Sequence, residues 1–195
     1  MRMFRDALAL FAVLAALTGI VYPLAFTGIA QVICPGRAGG SLIRKGEEIV
    51  GSKLIGQPFT DPGYFRSRPS ATGSFPYNAG ISSGSNLGPL SADLASAVGE
   101  RVRALRSVAG ADSNAAVPVD LVTASGSGLD PEISPAAAYY QISRVARWRG
   151  LPEDEVRALV TRLIKGRQLG FLGEPRVNVL ELNLALDEMR SPSTQ

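Results

Sequence analysis

Histidine is absent from this 195-residue chain, and that absence excludes more than any other feature of the composition. Without an imidazole there is no Ser-His-Asp triad, no unperturbed side chain titrating near neutrality and no histidine-ligated metal centre. Cysteine is nearly absent as well. The single Cys34 rules out an internal disulfide framework. Charge is almost balanced, 20 basic against 17 acidic residues for a net +3. The basic residues are scattered, so no nucleic-acid patch forms and no nucleic-acid partner is expected. Locally, charge disappears altogether: Ala7 to Ile33 contains none.

That uncharged run organises the rest. As a helix it would reach roughly 40 Å at about 1.5 Å per residue, more than the hydrocarbon thickness of a bilayer of about 30 Å. A tilted membrane-spanning helix is expected over 7–33, with residues 1–6 as a stub before it. A cleavable secretory signal would use Arg2 and Arg5 as its charged start and cleave after Gly28-Ile29-Ala30, but the run is too long for an ordinary signal core. A lipoprotein signal ending at Cys34 would need a small residue where Ile33 stands. A buried core helix would show a polar stripe, and none is visible. Ala15 and Gly19, four apart, lie on one face where a second helix can approach closely, with Gly28 as a further small residue. Pro23 removes a backbone donor and should kink the helix. Those features suit a helix packed on membrane partners. Charge does not decide orientation: Arg2 and Arg5 precede the run, and Arg37, Arg44, Lys45 and Lys53 follow it.

Residues 34–190 are expected to form one α+β domain of short strands and about four helices, with a disordered tail over 191–195. Gly46–Ile55 reads as one or two short strands. Gly56–Ala71 is too rich in proline and glycine for a long helix. It places Tyr64, Phe65, Arg66 and Arg68 together, either as rings entering the core beside wet arginines or as a recognition surface. Ser91 caps a helix to about Val108 with Leu94, Val98, Val102 and Leu105 inward, stopped by Gly110. Ala111–Ala116 reads as a surface loop and Val117–Thr123 as a buried strand. Ser134 and Pro135 start a helix to Arg149, ended by Gly150, that buries Ala138, Ile142 and Val145. Another helix follows from Pro152 to about Lys165. Asn178 and Glu181 suit a capping box on a last helix to about Glu188.

No catalytic set is present. Ser125-Gly126-Ser127-Gly128 has the backbone donors and hydroxyls of a phosphate cradle, but it lacks the lysine of a Walker A loop and stands six residues ahead of the helix cap. A tight turn with Asp130-Pro131 explains it as well. Glu174, Asp130 and Asp187 show no spacing that marks a carboxylate pair. No metal site is expected.

Several stretches in fixed order are more specific. GSKLIGQPF, YFRSRPSA, SGSNLGP, VTASGSGLDPEISPAAAYYQISRVA and GEPRVNVLELNLALD follow one N-terminal apolar helix. From anchor to Asp187 the chain resembles KdpC, the C-subunit family of bacterial potassium-transporting ATPases. Glu132 departs from it, at a position where histidine is common in the family. The resemblance implies a non-catalytic accessory subunit of a high-affinity, ATP-driven potassium importer in the inner membrane. Its partners would be a channel-like potassium-binding subunit, a P-type ATPase subunit and a small membrane peptide. The N-terminus would be cytoplasmic and the domain periplasmic. The family is also described as a catalytic chaperone that raises the pump subunit's ATP affinity. On that alternative Ser125, Gly126, Ser127, Gly128, Asp130 and Gln141 would contact nucleotide, with ATP bound through the complex and no covalent cofactor. Because ATP is cytoplasmic, an assembly role is expected instead, with Tyr64, Phe65, Arg66, Arg68, Glu174, Arg176 and Asn178 on the docking face and Ala15, Gly19, Pro23 and Gly28 on the membrane face.

Overall fold

The computed structural model describes residues 2–109 and 115–189, so the Gly110 stop, most of the Ala111–Ala116 loop and the 191–195 tail lie outside the described residues. The chain divides into two compact units, Met1–Ser52 and Lys53–Gln195.

In the first unit, the uncharged run and the stub before it form α1 (Arg2–Ala16), a five-residue π-helical turn (Leu17–Val21) and α2 (Tyr22–Ile33). The helical stretch is continuous and apolar enough to cross a membrane, and nothing buries it. The irregularity falls where proline predicts it. Pro23 has no N–H and its ring crowds the carbonyl one turn earlier. The chain answers with a widened turn, in which the Tyr22 N–H reaches back five residues to the Leu17 carbonyl. Thr18 Oγ1 donates to the Leu14 carbonyl at 2.8 Å, satisfying its hydroxyl within the helix. After the short α3 (Pro35–Ala38), β1 (Leu42–Lys45) and β2 (Glu48–Ser52) make an antiparallel hairpin. Gly46 takes φ +65 at the first position of its two-residue loop, where a side chain would be strained.

Among the described residues the second unit holds four α-helices: α4 (Ala92–Ala109), α5 (Pro135–Arg149), α6 (Glu153–Leu163) and α7 (Val179–Met189). Its only sheet among the described residues is the two-residue pair β3 (Glu132–Ile133) with β4 (Val177–Asn178). The mixed α/β class therefore holds, with helices carrying most of the core. Ile142 and Val145 of α5, Val156 and Val160 of α6 and Leu182 and Leu186 of α7 are all fully buried around Phe65. Ser134 Oγ accepts the Ala137 N–H at 3.0 Å and caps α5, and Gly150 ends it in the left-handed region. Asn178 Oδ1 accepts the Glu181 N–H at 3.0 Å and caps α7. The reciprocal half of that capping box does not form. Glu181 instead bridges Lys53 at 2.7 Å and Lys165 at 2.6 Å. Burial pushes the Glu181 carboxyl up, but the two ammonium groups outweigh it and hold it below its ordinary value.

Val117–Thr123 is not a strand. It contains a 3-10 turn, Val119–Leu121, in which the Val122 and Thr123 amides both return to the Val119 carbonyl. Pro118 cannot donate to a ladder, and the Asp120 carboxylate is drawn to the Ser134 N–H at 2.8 Å. Leu121 and Val122 are nonetheless buried, so hydrophobicity reported burial here rather than strand geometry.

Candidate functional site

Gly56 to Gly88 contains no helix or strand, yet it is fastened to the helices by side chains. Asn183 Oδ1 accepts the Phe65 N–H at 2.8 Å, and its Nδ2 donates to the Phe65 carbonyl at 2.9 Å. Gln141 does the same one residue on. Its Oε1 accepts the Arg66 N–H at 2.8 Å, and its Nε2 donates to the Arg66 carbonyl at 3.1 Å. Two side-chain amides, one from α7 and one from α5, thus replace the neighbouring strand that this extended backbone lacks. Arg144 donates to the carbonyls of Pro62 and Tyr64 and to Gln141 Oε1. Burial draws its guanidinium down to about 10, with the Arg66 charge adding and Asp61 opposing, so it stays charged at neutral pH. Arg149 stacks 4.3 Å over the Tyr64 ring, donates to the Gly63 carbonyl and pairs with Asp187 at 2.7 Å.

The stretch from 60 to 68 is therefore mostly a structural arch. Phe65 is fully buried, Tyr64 and Arg66 are half-buried, and Arg68 pairs with Asp130 at 3.1 Å. The arch in turn holds the serine–glycine loop. The Ser125 N–H donates to the Pro69 carbonyl. Ser127 O accepts both the Ser83 N–H and the Ser82 hydroxyl, and its own Oγ accepts the Leu129 N–H. Gly128 O accepts the Ser70 hydroxyl at 2.7 Å. Gly128 sits at φ +69, and a Cβ there would come 2.6 Å from the Ser83 carbonyl oxygen. Asp130 Oδ1 accepts the Glu132 N–H at 3.0 Å. Gly126 and Ser127 face solvent, whereas Gln141 is 1% exposed and bonded through both amide atoms.

An open groove of about 640 Å³ lies beside that loop. It brings together Arg68, Asp130, Glu174 and Arg176, which sequence separates widely. Glu132 reaches across to Arg176 at 2.8 Å, an ion pair that uses the carboxylate present at this position. Asn178 is buried, its Nδ2 donating to the Lys53 carbonyl at 2.8 Å. Ala15, Gly19, Pro23 and Gly28 belong to the helix of the first unit, where all four are exposed and a Cβ placed at Gly19 or Gly28 would meet nothing within 4 Å beyond the adjoining helix backbone.

One wall of the groove was not legible in the residues singled out from sequence. Lys165 and Arg176 exchange backbone hydrogen bonds, as do Gln168 and Leu172, making a small hairpin. Its tip holds Leu169 at 82% and Phe171 at 69% exposure. Leu169 and Gly170 both have positive φ, so the turn is built to present these side chains. The run Leu169-Gly170-Phe171-Leu172 between charged residues was the available signal. Exposed neighbouring apolar side chains of this size mark contact surfaces.

A family model described as the c chain of the K+-transporting ATPase matches residues 4–188. The potassium-transporting ATPase KdpC subunit of Variovorax paradoxus is 62% identical over 183 residues, covering 94% of each chain. That of Polaromonas naphthalenivorans is 61% identical over 186 residues, covering 95% of this chain and 94% of its own. That of Methylococcus capsulatus is 58% identical over 187 residues, covering 96% and 98%. With a matching family model over nearly its whole length and relatives at this identity, the chain belongs to the KdpC family, the c chain of K+-transporting ATPases.

Proposed function

We propose that this chain is the accessory C subunit of a high-affinity, ATP-driven potassium importer, assembling and stabilising the complex and assisting the subunit that hydrolyses ATP. It is not itself the hydrolytic subunit. Family membership supports the place in a potassium pump. One structural observation favours assembly over nucleotide binding: the serine–glycine loop closes as a turn within the domain. The Ser125 N–H donates to the Pro69 carbonyl, the Ser127 and Gly128 carbonyls accept from Ser82, Ser83 and Ser70, and Gln141 holds the arch. The apolar run 7–33 would cross the inner membrane with the N-terminus cytoplasmic, and Lys53 onward would lie in the periplasm. There the groove and the Leu169–Leu172 tip would meet the channel-like subunit, while Ala15, Gly19 and Gly28 would pack on membrane partners.

Two measurements test this. In a Cys34→Ser background, Ser193→Cys should react with a membrane-impermeant maleimide added outside spheroplasts. Labelling only after the cytoplasmic face is opened would overturn the orientation and restore access to ATP. Replacing residues 7–33 with an unrelated apolar helix should lower recovery of the assembled complex, and unchanged assembly and transport would refute a docking role for the helix.

A further inference from the structure

On the far side of Arg68 from the groove lies a second, smaller cavity of about 300 Å³, between the arch and α4. Its lining includes three arginines, Arg66, Arg68 and Arg101, and no acidic residue. Arg68 is neutralised by Asp130, which lies on the groove side. Arg66 and Arg101 form no salt bridge among the described residues. Arg101 donates only to the Val122 carbonyl, at 2.8 Å, and the Arg66 guanidinium only weakly to the Thr60 carbonyl, at 3.4 Å. The Nε groups of Arg66 and Arg68 are buried without an acceptor. Buried N–H groups of a cation ordinarily find one. Tyr77 adds a phenol to the same lining. Burial raises its pKa, the Ser67 hydroxyl opposes the shift and Asp130 reinforces it, so the phenol brings no negative charge at neutral pH. The remaining walls include Phe59, Leu105 and Leu121, which suit an apolar body. The cavity is at the small end of ligand pockets, which run from about 300 Å³.

We propose that this cavity binds a small organic oxyanion, a phosphate monoester or carboxylate with an apolar portion, held by Arg66 and Arg101. The ligand's oxygens would accept from the Nη groups of Arg66 and Arg101, which pair with no carboxylate among the described residues, and its apolar portion would lie against Phe59 and Leu105. Such a site is independent of the assembly role, because it lies on arch and α4 residues and needs no partner subunit. The anion has two available sources, a soluble metabolite or the headgroup of an anionic lipid.

The test uses the full chain in phosphatidylcholine nanodiscs, titrated with phenyl phosphate and followed by the arginine Nε–H resonances. Saturable shifts at Arg66 and Arg101 are expected with a dissociation constant near or below about 1 mM. Phenol, with the same ring and no phosphate, should not bind. Arg101→Gln should weaken binding about tenfold or more, as loss of a charge-assisted hydrogen bond predicts. Arg103→Gln, the same charge change on the exposed face of α4, should leave it unaltered. Arg101→Lys, which keeps the charge and loses the fork, should bind with intermediate strength and covers the case in which Arg101→Gln does not fold. In nanodiscs containing phosphatidylglycerol and no added ligand, the same resonances shifting would assign the anion to lipid, and their staying fixed would assign it to a soluble compound. No saturable shift up to about 10 mM phenyl phosphate, or equal weakening by Arg101→Gln and Arg103→Gln, would overturn the proposal.

Discussion

Replacing Gln141 with leucine separates a structural role from a nucleotide-binding one. The wild-type amide satisfies the Arg66 N–H and carbonyl and Arg144 Nη2, in a site that is 1% exposed. Leucine has nearly the same volume but satisfies none of them. Each buried group left without a partner costs about 1–3 kcal/mol. Three such groups, less the roughly 2 kcal/mol that leucine gains by burial, leave a destabilisation centred on about 4 kcal/mol. For a domain of this size that corresponds to a fall in Tm of about 8–16 °C. The assay is thermal unfolding of the full chain by circular dichroism, run beside the ATP dependence of the reconstituted pump. Gln141→Glu keeps the acceptor but turns a lone pair toward the Arg66 and Ala137 carbonyls, and should fall between the two. A Gln141→Leu chain melting within about 2 °C of wild type would refute the clamp, because the cited penalties leave no route to so small a change. If that same chain raised the pump's requirement for ATP, the amide would belong to a nucleotide site.

Three further outcomes test other parts of the fold. Gly128→Ala should destabilise by about 2–4 kcal/mol, since it adds left-handed strain to a 2.6 Å approach to the Ser83 carbonyl, whereas Gly126→Ala, with open space around it, should lie within about 0.5 kcal/mol of wild type. Equal effects at the two glycines in denaturant titrations would refute the tight-turn account of this loop. Ser134→Ala removes the α5 cap and the hydroxyl contact to Asp120, and should lower stability by about 1–2 kcal/mol with an unchanged denaturant slope. The Glu181 carboxyl, held low by Lys165 and Lys53, contributes its ion pairs above its unfolded pKa of about 4.3 and loses them as pH falls through its lower folded value. Glu181→Gln should therefore flatten the loss of stability between about pH 5 and 3, by no more than about 1 kcal/mol for so exposed a cluster, and parallel pH profiles for the two chains would remove this cluster from the acid response.

What could be read from the residues depended on the range of the interactions. The apolar run, the Ser134 cap, the Gly150 stop and the inward face of α5 are local patterns, and they appear in the structure nearly to the residue. The strand expected over 117–123 failed because apolar residues report burial, while Pro118 and Asp120 decide which hydrogen bonds the backbone makes there. The Asn178–Glu181 cap was half legible. Its amide side is local, but the Glu181 carboxylate answers to Lys53, far away in sequence. Gln141 illustrates the same limit at the candidate site. The family resemblance grouped it with the Ser-Gly loop as a nucleotide contact, whereas its partners lie at Arg66 and Arg144. The arch itself carries no local signal, because the groups that hold it come from α5 and α7.

The two amides that hold the arch also impose an order on biogenesis. Phe65 must wait for Asn183, 118 residues later in the chain, before its backbone is satisfied. At roughly 5–20 residues per second of synthesis, that interval is on the order of 10 s. The apolar helix leaves the ribosome well before it. The nascent chain therefore exposes its apolar helix while its arch, with the aromatic residue at the centre of the core, still lacks its clamp. Closure becomes possible only when α7, which ends at Met189, has been made. Ribosomes stalled before Asn183 should carry a chain that is sensitive to protease between α3 and α4, and chains elongated through Met189 and released should lose that sensitivity. Emergence of the apolar helix and closure of the arch are thus consecutive events in this protein, and a truncation of even the last two helical turns should leave the second undone.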